Sequence, residues 1–310
     1  MVTYFEKEFE NFGRCLWITN GVIEAAVTLD VGPRVIRFGF VGGQNLFVTQ
    51  PDRGTRWSGP AFDAYYGAGS VSYAFGGHRI WITPERAPET YYPDNDPVAW
   101  EAVGDRFRFT PPPQRKNEVH LELILRMDPE KPLLSVENAV TNVSGGEKEF
   151  AVWTVSAMNL GGLEVLPHAT DKTGYLPNRT LSLWPYTDAA DDRFYNGRQY
   201  LSFRQDPRAS GAFKLGSNNR SGRVAYLLNG EVFRKETPPH EPDRRYPDGG
   251  VSFETYLSPS ILELETLGPV ETVSPGQRVT LEETWSLIRT DRRPDPRQDG
   301  ELDAFWREIW

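Results

Sequence analysis

Three carboxylates near the end of the chain have the spacing for chemistry. Glu254 lies in Val251-Ser252-Phe253-Glu254-Thr255-Tyr256, and Glu263 and Glu265 lie in Ile261-Leu262-Glu263-Leu264-Glu265-Thr266. Both runs alternate in polarity and Ser258-Pro259-Ser260 joins them, which predicts two strands connected by a tight turn. Side chains alternate across a strand, so Glu263 and Glu265 share one face about 7 Å apart. Leu262, Leu264 and Thr266 take the other face. An acidic row of this kind is either a solvated outer face or the lining of a cleft, and in a cleft it supplies carboxylates for proton transfer.

Further upstream, Gly76-Gly77-His78-Arg79-Ile80-Trp81 sets a titratable imidazole beside a fixed positive charge, after two glycines that let the backbone approach a ligand closely. His78 stands evenly between a site role and structural hydrogen bonding. Tyr92-Pro93-Asp94-Asn95 follows. In Leu176-Pro177-Asn178-Arg179 an amide and a guanidinium precede a short strand, where they suit hydroxyl recognition and bracing of the loop equally. His120 reads as a surface residue, and His168 and His240 lack metal-ligand spacing, so no metal is expected. The chain has no Gly-x-Ser-x-Gly elbow, P-loop or dinucleotide fingerprint, which weakens serine-hydrolase, nucleotide and dehydrogenase readings. No organic cofactor is expected.

Composition narrows the class further. The 310 residues carry a net charge of −9, which argues against nucleic acid as a partner. The densest basic run, Arg289 to Arg297, is broken by acids and prolines and reads as a solvated linker. No apolar run approaches the roughly 18 residues of a membrane span, and no membrane partner is expected. The single cysteine, Cys15, and an N-terminus without a basic-then-apolar segment predict a cytoplasmic setting. With 9 Trp, 13 Tyr and 17 Phe, the chain can fill a large core and still present rings to a ligand such as a sugar, whose C–H faces pack on aromatics.

The elements that must position these residues are strands. Period-two alternation runs through Ile23 to Asp30, Val35 to Phe40, Val98 to Val103, Val119 to Met127, Leu134 to Asn142, Glu149 to Ala157, Gly222 to Leu228, Val232 to Lys235 and Val279 to Leu287. Asn229-Gly230 predicts a hairpin. Only Glu301 to Trp310 has a helical stripe, through Leu302, Phe305, Trp306 and Ile309. The fold class expected is all-β: one large antiparallel sandwich over residues 1–288, with a Pro/Arg-rich linker and a short C-terminal helix over 289–310 docking on it. Thr49 to Asp96 and His168 to Asp206 resist the strand reading and are expected to be loops rimming a cleft.

In this order, Val31-Gly32-Pro33-Arg34, Gly76 to Trp81, Tyr92 to Asn95, Leu176 to Arg179, Trp184-Pro185-Tyr186-Thr187-Asp188 and Leu262 to Pro269 resemble the DUF4380 group of the galactose mutarotase-like superfamily. The resemblance covers most of the chain and implies a β-supersandwich whose concave sheet binds carbohydrate. Leu264-Glu265-Thr266 is similar to the strand on which aldose 1-epimerases carry their base, ahead of a turn like Pro275-Gly276, which implies Glu265 as the base. The segment from Asn138 to Leu160 is similar to the strand pair that precedes the epimerases' acid histidine, yet it contains no histidine. Gly76-Gly77-His78 resembles more loosely the Arg-Gly-Gly turn of hexose-6-phosphate epimerases and implies His78 as the acid.

The function this resemblance implies is carbohydrate binding of the mutarotase type. Glu265 would take the proton of the anomeric hydroxyl while His78 or Arg79 protonates or polarises the ring oxygen. Arg34, Arg79, Tyr92, Asp94, Asn95, Asn178, Arg179, Glu254 and Glu263 are the expected sugar contacts, and Arg34, Arg79 and Arg179 together suit an acidic sugar. Two alternatives remain at this level. One is a sugar-binding module that has lost its acid; the other is a glycosidase or lyase whose carboxylates, such as Glu254 and Glu265, flank a bond at about 5 to 9.5 Å.

Overall fold

The period-two runs become strands whose apolar faces meet in one core. The computed structural model describes residues 1–50 and 56–310, and among these the chain forms two ten-stranded antiparallel sheets. In spatial order the first sheet is Thr3–Glu8, Arg14–Thr19, Ile23–Thr28, Val35–Phe40, Gly77–Ile82, Val152–Met158, Ile261–Leu267, Phe253–Ser258, Phe213–Ser217 and Leu181–Leu183. The second is Phe194–Asn196, Tyr200–Arg204, Leu163–Pro167, Arg223–Leu228, Glu231–Glu236, Arg278–Arg289, Leu133–Asn142, Val119–Met127, Arg106–Thr110 and Ala99–Val103. Inward residues of both sheets, including Leu16, Phe38, Phe213, Leu264, Phe109, Leu125, Phe233 and Trp285, form the principal apolar cluster. Phe38, Phe47, Phe233 and Trp285 meet edge to face, a geometry aromatic quadrupoles favour.

Both predicted hairpins are present: Phe253–Ser258 pairs with Ile261–Leu267, and Arg223–Leu228 pairs with Glu231–Glu236 across Asn229-Gly230. The expectation that Thr49 to Asp96 is one loop is corrected. It contains Gly77–Ile82, an interior strand between Val35–Phe40 and Val152–Met158, and the helix Pro60–Tyr66; residues 51–55 lie outside the described residues. The strand was hidden because both of its faces begin with a charged or titratable residue, His78 on one and Arg79 on the other, so no apolar alternation marks it. The segment His168 to Asp206 likewise holds Leu181–Leu183, Phe194–Asn196 and Tyr200–Arg204, all at or next to sheet edges.

The helix Asp299–Ile309 packs Leu302, Phe305 and Ile309 against Leu163, Val165, Tyr200, Ala225, Leu227 and Val232 on the outer face of the second sheet. Its first turn is tied down where the Asp299 carboxylate accepts the Arg198 backbone N–H, and Tyr200 Oη donates to Asp303 at 3.0 Å. This leaves the outer face of the first sheet to carry the cleft. No helix among the described residues is long and apolar enough to cross a membrane.

Candidate functional site

Strand register decides which side chains can meet. Leu262, Leu264 and Thr266 turn into the sandwich, so Glu263 and Glu265 stand on the outer face of the first sheet. Arg79, Val155, Glu265 and Glu254 form one row across four adjacent strands. Trp81, Trp153 and Leu267 form the row on one side; Gly77, Ala157, Glu263, Tyr256 and Lys214 form the row on the other.

Lys214 holds the centre. Its Nζ lies 2.8 Å from Glu254 Oε2 and 3.0 Å from Glu265 Oε2, and the ammonium sits 4.9 Å from the Trp153 ring centroid and 4.8 Å from that of Trp184. Trp153 Nε1 donates to the same Glu265 oxygen at 2.9 Å. Glu254 and Glu265 are each 1% exposed and Lys214 is 4% exposed, so the three charges interact with little screening. An open cleft of about 340 Å³ is lined by Lys214, Glu254, Trp153 and Trp184 together with Glu85, Tyr91 and Asp248. Tyr91 donates to Glu85, stacks on Trp57 with centroids 4.4 Å apart, and meets Trp81 edge-on at 5.5 Å.

One ammonium shared by two carboxylates leaves the cluster one negative charge in excess. Burial pushes the Glu254 carboxyl well above the usual range despite the pull of Lys214, and among the described residues its Oε1 has no hydrogen-bond partner. Burial alone would lower Lys214, but Glu265 and Glu254 outweigh it and hold the ammonium well above its ordinary value. Burial and then Glu265 raise the Glu263 carboxyl to about 7, with Arg79 acting in the opposite sense. Beyond Glu263, burial and then Arg34 lower Arg79 to about 10; its guanidinium carbon lies 3.4 Å from the Trp81 ring centroid. Chemically, the cleft combines flat rings, hydrogen-bonding charges, and a carboxyl that holds a proton more tightly than usual beside one that already accepts two N–H donors.

The other expected site residues separate from this cluster. His78, expected as the acid, turns into the core: Nδ1 meets Ser156 Oγ and Nε2 meets Asn138 Oδ1, each at 2.9 Å, and the ring packs edge-on to Trp285. Burial lowers it to about 4. Neighbouring residues of a strand face opposite ways, so Arg79 and His78 cannot both line the cleft. The two glycines before them do allow a close approach, but to the chain itself: a Cβ on Gly76 would come 2.1 Å from Val48 O, and one on Gly77 would come 2.4 Å from Val35 O.

Arg34 is buried in an ion pair with Asp94 at 2.5 Å, and Tyr92 borders a separate narrow recess beside them. Asn95 donates to Val71 O at 2.7 Å. Asn178 donates to Asp171 O and Arg179 to Arg198 O, so this pair braces its loop. Of the expected contacts, Glu254, Glu263, Glu265 and Arg79 share the outer face. Lys214 was missed. Its only signal was a lysine on the alternate face of the short run Phe213-Lys214-Leu215-Gly216, with Gly211 just ahead obscuring the period.

No family model matches the chain, and no curated protein does. The fold is that of the galactose mutarotase-like proteins. A galactose mutarotase-like protein from Lactobacillus casei superposes with a TM-score of 0.53 at 12% identity, over 88% of this chain and 100% of its own. One from Clostridium acetobutylicum gives 0.52 at 12%, over 93% and 99%. A candidate aldose 1-epimerase from Klebsiella pneumoniae gives 0.56 at 11%, over 99% and 87%. At such identities the likeness speaks for the large antiparallel β-sandwich.

Proposed function

We propose that this chain binds a sugar in the cleft on the outer face of the first sheet and interconverts its anomers by proton transfer between two carboxyl groups. The observation that carries this reading is the Glu254–Lys214–Glu265 cluster between Trp153 and Trp184. Glu265 takes the proton of the anomeric hydroxyl while Glu254, through its unpartnered Oε1, gives one to the ring oxygen. The C1–O5 bond breaks, the C1 carbonyl turns about the C1–C2 bond, and on reclosure the O5 proton goes back to Glu254 while Glu265 returns its proton to the carbonyl oxygen. In this reading Glu254 takes the acid role that the resemblance implied for His78. Each proton transfer of this kind contributes typically about 10² to 10⁴-fold. Lys214 keeps the two carboxyls together. The resemblance to the DUF4380 group agrees with this reading.

One observation favours binding without catalysis: Glu265 Oε2 already accepts from Trp153 and Lys214, which weakens it as a base. Glycosidase or lyase chemistry is less well supported, because both carboxylates bind the same ammonium and so lie on one side of a ligand instead of flanking a bond.

Exchange NMR of anomeric protons over a panel of aldoses, with and without protein, tests the proposal. Faster exchange for at least one sugar, abolished in both Glu265→Gln and Glu254→Gln, is the expected result. Saturable binding without faster exchange supports the binding-only reading. A panel in which no sugar binds at all overturns both.

A further inference from the structure

Among the described residues five lysine and arginine side chains are buried: Arg34, Arg79, Arg193, Lys214 and Lys235. Four are matched by a carboxylate: Arg34 by Asp94, Arg193 by Asp191, Lys214 by Glu254 and Glu265, and Lys235 by Glu283. Arg79, 7% exposed, makes no ion pair or hydrogen bond among the described residues; its only contact of this kind is the face of Trp81. A buried charge without an ion-pair partner is costly, and a chain with 43 acidic residues has no shortage of carboxylates to supply one. The face of the guanidinium is taken by Trp81, which leaves its N–H edge, a planar fork of donors matched to a planar anion.

Position gives this edge a use. Arg79 and Glu265 belong to the same row, with Val155 between them. Two inter-strand spacings put their backbones about 10 Å apart, the length scale of a pyranose ring with a hydrogen bond at each end. Trp81 in turn packs against Trp153 and Tyr91, both of which line the cleft. We propose that Arg79 is the anion subsite of this cleft and that the sugar bound there carries a carboxylate, as a uronic acid does, its anomeric end at Glu265 and its carboxylate at Arg79. The proposal rests on the sugar-binding reading above and names its substrate class. A carboxylate is favoured over a phosphate because Glu263 and Asp94 already act on Arg79, and Glu85 and Glu254 line the adjoining cleft. A monoanion meets less repulsion from them than a phosphate monoester, with its charge of about −1.5 to −2.

Calorimetric titration of glucose and galactose, their uronates and their 6-phosphates into wild type, Arg79→Gln and Arg79→Lys tests this. The expected result is a uronate that binds at least tenfold tighter than its parent sugar, a preference lost in Arg79→Gln and only partly kept in Arg79→Lys, whose ammonium lacks the fork. If a neutral sugar binds as tightly as its uronate to wild type, the subsite is wrong while the sugar-binding reading stands. If no sugar of any charge binds, both fall. A 6-phosphate that outbinds the uronate overturns the carboxylate assignment, and a uronate preference that survives Arg79→Gln overturns the residue. The wild-type comparison decides the substrate class even if Arg79→Gln does not fold.

Discussion

Glu254 and Glu265 stand directly opposite each other on neighbouring strands and meet on a single ammonium, that of Lys214. Like charges this close, on residues this buried, cannot both ionise freely, so the lysine decides how much negative charge the pair carries. The cluster is a source of electrostatic strain in the fold.

Replacing Lys214 by methionine keeps an unbranched side chain one atom shorter and removes the cation. Breaking a buried ion pair from one side costs about 3 to 5 kcal/mol, and here two carboxylates lose their partner together. Protonation relieves such a pair, so the loss should be largest at pH 8 and smaller at pH 5. Thermal unfolding of the variant at both pH values measures it. An equal fall in Tm at pH 5 and pH 8 would remove the electrostatic account of this cluster.

Two other groups make stability depend on pH in opposite senses. Glu263 is raised to about 7 from 4.5, so the folded protein holds that proton more tightly than the unfolded chain. Its contribution is complete below about 4.5 and disappears as pH rises through 7. His78 is lowered to about 4 from 6.5, so the unfolded chain takes up the proton first. Its contribution, about 3 kcal/mol when complete, is present above 6.5 and disappears as pH falls through 4. Urea unfolding between pH 4.5 and 7 separates the two. Glu263→Gln should steepen the loss of stability on acidification, and His78→Asn should reverse the slope, so that stability falls as pH rises. Identical profiles for the two variants would contradict both assignments.

The same two residues mark where the sequence stops being informative. The carboxylate strand was legible because Leu262, Leu264 and Thr266 alternate with Glu263 and Glu265, and the tail helix because Leu302, Phe305 and Ile309 recur on one stripe. His78 and Arg79 are adjacent in a run with no apolar alternation, so only the register with Val152–Met158 reveals that one faces the core and the other the outer face of the sheet. Lys214 illustrates the complementary limit. Its importance arises from pairing across Phe253–Ser258 to a strand some fifty positions away in the chain, and nothing local to Phe213-Lys214-Leu215 records it.

Trp184 offers the cleanest separation of binding from folding. It is half-buried in the segment that follows the edge strand Leu181–Leu183, and its ring lies over the Lys214 ammonium at 4.8 Å without a hydrogen bond into the core. A sugar stacked on this face would lose its flat partner in Trp184→Ala. An aromatic contact of this type contributes about 0.5 to 2 kcal/mol, which corresponds to a fall in affinity of up to roughly 30-fold. Trp153→Phe acts differently, since it keeps a ring and removes the N–H that Glu265 accepts. The first variant should weaken binding of every sugar that binds while leaving anomer exchange at saturation close to wild type; the second should slow exchange more than it weakens binding. Titration followed by exchange NMR at saturating sugar measures both quantities on the same samples. If Trp184→Ala slowed exchange at saturation as strongly as Trp153→Phe, the assignment of Trp184 to the binding platform and of Trp153 to the carboxylate cluster would have to be given up.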